Sequence, residues 1–366
     1  METDRERGDY LDPNAGKVRL EELGPRWLGS RSVDPATMVN YEGKWRIHVQ
    51  PTFGGRQVKS IRPSEIAQWV TELGNTSSPA LAHLAFQVLS GCLELAVADG
   101  LIKQNPAKSK IVSLPAIVRP DIVVWADETV GRVIQSHPDQ FRLIPVIGVA
   151  CGLRQGEIFG LSLDDFDFDT GLIRVRRQLK PVGKTYIFAL PKNDRERFVP
   201  IPPFIEGQIR EHVERFGTLK CTLPWERVDG SSTTVDLLFQ RQSGGHIRSR
   251  DYHSMIWRPS LAAAGVIPPP VKDDRSRLRY KGGSNHGTGM HTLRHYYASV
   301  TLADGVNIKE LAEYLGHHDP AFTLRMYAHM LPSSHARARQ AVQKRLMGLA
   351  LPLPEQSRSS ADEEVA

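Results

Sequence analysis

Cysteine is scarce. Cys92, Cys151 and Cys221 stand far apart in a chain of 366 residues, form no Cys-x-x-Cys pair, and leave one over in any pairing. That excludes a disulfide framework and makes reduced thiols the simplest reading. The N-terminus, Met1-Glu-Thr-Asp-Arg-Glu-Arg-Gly8, lacks the apolar core of a secretory signal, and no run reads as a membrane span. The expectation is therefore a soluble, cytoplasmic protein with no membrane partner. Two further signatures are missing. No Gly-x-x-x-x-Gly-Lys phosphate loop and no Asp/Glu cluster with metal spacing stands out, so neither ATP nor a metal is implied and no cofactor is expected. No internal repeat is apparent.

What is present is modestly basic. Lys and Arg exceed Asp and Glu by 47 to 41, a net charge of +6, which is compatible with a polyanionic partner without requiring one. The length allows two or three domains, each with its own core.

The informative stretch runs from His291 to Tyr327. It holds His291-Thr-Leu-Arg294, then Leu315-Gly-His317, then Tyr327. Three residues apart on a helix, His291 and Arg294 project from one face, where an imidazole and a guanidinium can converge on one anion. A guanidinium fork matches phosphate oxygens, and a phenol beside it is a plausible nucleophile toward phosphorus. Read as a zinc cluster instead, His291, His295, His317 and His318 would leave the arginine and tyrosine between them without a role. The rival phenols Tyr296, Tyr297 and Tyr314 have helical, apolar surroundings that fit core packing better.

This order and spacing closely resemble the C-terminal signature of the tyrosine recombinases, the phage integrase family, in particular integrases of actinobacterial phages and integrative elements. The resemblance covers roughly residues 31 to 345. It extends to Cys151-Gly-Leu-Arg154-Gln-Gly-Glu157, which is similar to the family's Gly-Leu-Arg-x-x-Glu motif and implies that Arg154 is the first of two phosphate-binding arginines. Alone, Arg154 reads as salt-bridged to Glu157 or to Asp164-Asp165. The resemblance also implies a role for Lys192, in Pro191-Lys192-Asn-Asp-Arg-Glu-Arg197, as a general acid on a hairpin; out of context it is a solubilising residue. Neighbouring Lys184, Arg195 and Arg197 are expected to touch the DNA backbone or solvent.

In chain order, residues 1–30 read as a polar remnant or linker. Gly8-Asp-Tyr-Leu-Asp-Pro13 lies almost at the first residue, where the resembling integrases carry an arm-binding module before it, so that module is expected to be absent. Asp34 and Pro35 start a helix with Val39, Tyr41, Trp45 and Ile47 on its apolar face; further helices begin near Pro63 and Pro79. Together, residues 31–110 make a helical bundle, the counterpart of the family's core-type DNA-binding domain. Residues 111–124 continue a Pro-rich stretch bearing Lys103, Lys108, Lys110 and Arg119, read as a linker lined for DNA or simply solvated.

The catalytic domain is expected over 125–349. Asp127 caps its first helix, an apolar helix runs from Phe141, and strands lie at 172–179, 185–190 and 198–201. Residues 217–236 lack pattern. The helix 250–264 should bury Tyr252, Met255, Ile256 and Trp257, and 268–289 is a basic loop, either mobile beside DNA or disordered. A helix over 332–349 corresponds to the family's segment that packs on a neighbouring protomer, and 350–366 reads as a disordered tail. The fold class is mainly α with a small antiparallel β-sheet (α+β).

The resemblance implies metal-free cutting and rejoining of DNA. Arg154 and Arg294 clamp the non-bridging oxygens, and His317 and His291 add hydrogen bonds, with His291 also a proton acceptor for the phenol. Tyr327 attacks phosphorus and Lys192 protonates the leaving 5′ oxygen. Implied partners are double-stranded DNA at attachment sites, a homotetramer on that DNA, and an excisionase. Two rivals remain open: a DNA-binding relative without catalysis, and a topoisomerase-like enzyme.

Overall fold

A computed structural model describes residues 15–118, 121–192, 194–282, 287–327 and 335–348. Its first helices begin where the sequence places caps. Asp34 accepts from the Ala36 N–H at 2.9 Å and Pro35 opens the helix Pro35–Lys44. The bundle comprises α1 (Leu20–Gly29), α2 (Pro35–Lys44), α3 (Pro63–Thr76) and α4 (Pro79–Ala98). Leu20, Leu23 and Trp27 of α1 share one core with Tyr41, Trp45, Phe53, Ile66, Val70 and Leu89. The bundle thus begins before residue 31, with α1 inside it. Val39 and Ile47, expected inward, are exposed. A π-helical turn over Trp45–Val49 continues α2, and such a turn inserts a residue and rotates the apolar face, here onto Trp45 and Val49.

Helix α4 corrects one expectation. At 20 residues and a mean hydropathy of 1.6 it has the length and composition of a membrane span. Its Ala82, Ala85, Val88, Leu89, Cys92, Leu93 and Ala96 are buried in the bundle, where α4 packs against α1, α2 and α3. The following chain stays on the bundle: Asn105 donates to Ser90 O and to Glu94, and Lys108 pairs with Glu94. Arg119 lies outside the described residues.

A second core begins at Trp125, whose ring stacks on Trp257 and whose Nε1 donates to Gly287 O at 3.0 Å. Asp127 does not cap α5 (Asp127–Gln135); it is the first helical residue and accepts from the Tyr296 hydroxyl at 2.9 Å. The axis of this core is α6 (Asp139–Cys151), which buries Phe141, Leu143, Ile144, Val146, Ile147 and Cys151. Around it pack α5, α8 (Phe204–Phe216) and α9 (His291–Ala303), while α7 (Gln155–Phe159) follows directly after its end.

The strands form small antiparallel sheets. β1 (Phe166–Asp167), β2 (Leu172–Val175) and β5 (Arg197–Pro200) make one, with Ile173 opposite Val199; β3 (Gln178–Val182) and β4 (Thr185–Ala189) make a hairpin. The expected single strand 172–179 is split, because Arg176 and Arg177 turn to the buried Asp165 at 2.7 and 2.6 Å. β6 (Leu219–Pro224) and β7 (Ser232–Leu237) pair where no pattern was expected. The helical stretch Ser249–Ala263 also passes through a π turn, His253–Trp257, which leaves Met255 exposed rather than buried. In the basic loop, β8 (Val271–Lys272) pairs with β9 (Leu278–Arg279), and Asp273 gathers the turn by accepting from Arg277 N and Arg279 Nε. Three more helices follow: α10 (Ile308–Leu315), α11 (Pro320–Tyr327) and α12 (His335–Gly348). The expected tail, 350–366, lies outside the described residues.

The fold is thus mainly helical with small antiparallel sheets. Its two cores meet where Asp34, while capping α2, also pairs with Lys180 of β3. Arg31, Asp34, Lys180 and Lys192 help line a cleft of about 890 Å³ there.

Candidate active site

The site begins at the end of α6. Gly152 terminates the helix with φ +61°, and a Cβ there would lie 2.4 Å from the Tyr297 ring, so only glycine lets α9 approach so closely. Two residues on, Arg154 is the N-cap of α7. Glu157 accepts from its backbone N–H at 2.8 Å and from its Nη1 at 2.9 Å. The same carboxylate takes both Nη atoms of Arg197, at 3.0 and 2.7 Å. Burial alone would raise the Glu157 pKa, but the Arg197, Arg154 and Arg294 charges hold it down at about 2. Glu157 therefore braces the wall.

Arg197 departs from expectation. It is buried on β5, with Nε donating to Tyr314 O at 2.7 Å, and faces neither DNA backbone nor solvent. It runs beneath Gly316, the φ +62° cap of α10, whose carbonyl accepts from Arg154 Nη2 at 3.3 Å. A Cβ at 316 would meet Arg197 atoms at 3.1–3.2 Å. Gly316→Ala is expected to cost about 1–2 kcal/mol through backbone strain and this crowding, read as an earlier midpoint in urea.

Arg294 is the second cation of the wall and is 1% exposed. It reaches back from α9 to donate to Gly152 O at 2.8 Å, to Leu315 O, and through Nη2 to His317 Nε2 at 3.0 Å. Its buried Nε has no hydrogen-bond partner among the described residues. Burial first, then the Arg154 charge, lowers its pKa to about 9, which still leaves a cation at neutral pH. Three guanidiniums thus surround one carboxylate, which bonds two of them, a local excess that favours an anion.

A guanidinium can only donate, so His317 Nε2 accepts, and its Nδ1 carries the proton toward Thr323 Oγ1 at 2.7 Å. Burial and the surrounding arginines push His317 down to about 3, so it is neutral. The expectation of His317 as a ready donor is therefore changed: in this geometry its Nε2 is occupied as an acceptor.

Tyr327, the last residue of α11, is 1% exposed. Burial pushes its phenol up to about 12 against the pull of Arg294, so it is protonated at neutral pH. Its hydroxyl lies 2.8 Å from Nδ1 of His295. The expected acceptor was His291, and no hydrogen bond joins His291 to this hydroxyl among the described residues. His291 opens to solvent at the mouth of the site; its ring meets His295 edge-on with centroids 5.0 Å apart, and desolvation by the surrounding protein, with Arg294, pushes it down to about 3. The four-residue step from His291 to His295 puts both on one helix face, the signal that could have singled out His295. His329 lies outside the described residues.

Five of the six expected residues, Arg154, His291, Arg294, His317 and Tyr327, converge here through direct contacts or mutual electrostatics. Lys192 does not join them. It is exposed after β4, in the cleft facing the bundle, and no hydrogen bond or ion pair among the described residues ties it to the other five. Tyr297 is buried against Gly152, Tyr296 is held by Asp127, and Tyr314 offers its carbonyl to Arg197.

A buried phenol in contact with an imidazole, on a wall of arginines, is an arrangement for nucleophilic attack on a phosphodiester. The chain belongs to the phage integrase family, whose model matches residues 132–333, and a phage integrase N-terminal SAM-like domain model matches residues 20–74. It is 26% identical to a tyrosine recombinase XerC-like protein of Caldanaerobacter subterraneus subsp. tengcongensis, over 88% of this chain and 82% of that one. It is 27% identical to the integrase of Mycobacterium phage D29, over 85% of this chain and 75% of that one. The fold is similar to the Tn1549 transposon integrase in complex with transposon right end DNA, with a TM-score of 0.68, 20% identity, and coverage of 90% of this chain and 100% of that one. A lambda integrase dimer bound to a core site is similar at a TM-score of 0.59 and 17% identity, over 89% and 84% of the two chains.

Proposed function

We propose that this chain is a tyrosine-type site-specific recombinase that integrates or excises a mobile element by cutting and rejoining double-stranded DNA. The observation that carries the reading is the placement of Tyr327 at the end of a wall formed by Arg154, Arg294 and the Glu157–Arg197 pair. Membership of the phage integrase family supports it.

In this reading the scissile phosphate takes its non-bridging oxygens to Arg154 and to Arg294, whose Nε has no hydrogen-bond partner among the described residues. His317, held between Arg294 Nη2 and Thr323, steadies that guanidinium, and His291 adds a contact at the rim. Tyr327 displaces the 5′ oxygen, giving a 3′-phosphotyrosyl link. Lys192 supplies the proton to that oxygen once the β4–β5 connection carries it inward. A second 5′ hydroxyl then reverses the step on another strand.

Residues 31–110, extended at their start by α1, serve as the core-type DNA-binding domain; 111–124 are the linker, 125–349 the catalytic domain and 350–366 a tail. The chain acts in the cytoplasm as a homotetramer on its attachment sites, with an excisionase setting direction.

Nicked duplexes made from the DNA flanking its own gene test this. They are expected to trap a denaturation-resistant adduct, in the presence of EDTA, whose DNA-linked peptide contains Tyr327. Binding of those duplexes without any adduct, or linkage at another residue, would count against the reading.

A further inference from the structure

Tyr327 presents a problem that the signature residues do not solve. Its phenol is buried and protonated, so the proton must leave as the oxygen attacks, and bulk water has almost no access to it. His291 is not in contact with it. His317 is directed to Arg294 and Thr323. The group that does touch the reacting oxygen is His295.

We propose that His295 is the general base of strand cleavage and the general acid of rejoining, through the 2.8 Å contact of its Nδ1 with the Tyr327 hydroxyl. The proposal rests on the recombinase reading above. In cleavage, Tyr327 Oη forms a bond to phosphorus, the O–H bond breaks and its proton passes to His295 Nδ1. The bond from phosphorus to the 5′ oxygen breaks, and that oxygen takes its proton from Lys192. In rejoining, the 5′ hydroxyl attacks phosphorus and gives its proton back to Lys192, while Tyr327 Oη departs and recovers its proton from His295. No oxidant, nucleotide or metal enters the balance.

Three features fit His295 to this. The phenol is protonated and so has a hydrogen to donate to Nδ1; with the ring proton on Nε2, Nδ1 is the lone-pair nitrogen that a base needs. Its position on α9, one turn after His291 and next to Arg294, ties it to the same helix that holds the phosphate wall. The edge-on contact with the neutral His291 ring limits how far the His295 ring can swing away from the phenol.

The experiment is single-turnover cleavage of nicked duplexes by the full chain, with His295→Asn compared with wild type and with Tyr327→Phe. An asparagine amide can stand where Nδ1 stands and hold the phenol, but it cannot accept a proton. Cleavage by His295→Asn is expected to be about 100-fold slower, with DNA binding and melting unchanged. A ring-fluorinated tyrosine at 327, a stronger acid, should restore that variant at least about tenfold, whereas a packing defect would not respond to phenol acidity. If His295→Asn melts early, His295→Gln, which fills more of the ring's volume, carries the same comparison. A rate within about threefold of wild type, or no response to the fluorinated phenol, overturns the assignment of His295. Absence of any adduct from the wild type overturns the recombinase reading instead.

Discussion

Tyr327→Phe is expected to abolish covalent capture of DNA, lowering cleavage by at least about 10⁴-fold, the scale on which loss of a nucleophile is felt. The substitution removes one oxygen and leaves the ring in its buried seat at the end of α11. It also leaves His295 Nδ1 without the phenol, a loss of about 1 kcal/mol, or roughly 2–4 °C in melting temperature. The expected pattern is therefore intact binding, near-normal stability and no adduct on a denaturing gel. Persistence of an adduct in the Phe variant would falsify the nucleophile assignment and turn attention to Tyr296 or Tyr314, since Tyr297 is wedged against Gly152.

The second large effect falls on folding. Glu157 is the one carboxylate shared by Arg154 and Arg197, and it is wholly buried. Glu157→Ala leaves those guanidiniums and neighbouring Arg294 facing one another with no counter-charge. Breaking a buried pair from one side costs about 3–5 kcal/mol, or roughly 10 °C in melting temperature for a domain of this size. The wild-type protein should show the same dependence on titration. Glu157 is held at about 2, below its ordinary 4.5. A depressed carboxyl contributes stability that is fully present above about pH 4.5 and is lost as pH falls through 2, in all about 3 kcal/mol. Denaturant midpoints measured from pH 5 down to pH 2.5 should fall more steeply in wild type than in Glu157→Gln. Parallel slopes would sink this account.

How much of this was legible depends on how local the cause is. Arg294 and Tyr327 could be read because their spacing from Leu315-Gly-His317 carries the information, and α3 and α4 because caps and periodicity agree. Arg197 could not. In sequence it is one more basic residue on a hairpin, and only the pairing of β5 with β2 and the approach of Gly316 bury it. Met255 and Ile47 were misplaced for one reason: each lies in a π turn, which shifts a helical face by a residue without any marker in composition. The β6–β7 hairpin escaped because its alternation is shallow, with Cys221 and Leu237 its only buried residues. Lys192 is the instructive case on the other side: family order names it, while the chain leaves it in the cleft beside the bundle.

The arginines are held as much by the main chain as by side chains. Carbonyls of Gly152, Tyr314, Leu315 and Gly316 receive them, and Glu157 is the sole side-chain anion among these partners. A carbonyl cannot be substituted away. Replacing the side chain at 314 or 315 therefore leaves the cradle standing so long as the turn after α10 keeps its course, whereas inserting or deleting one residue between α10 and α11 would misdirect three guanidiniums at once. Drift within lineages should accordingly be tolerated in the letters of this segment and refused in its length.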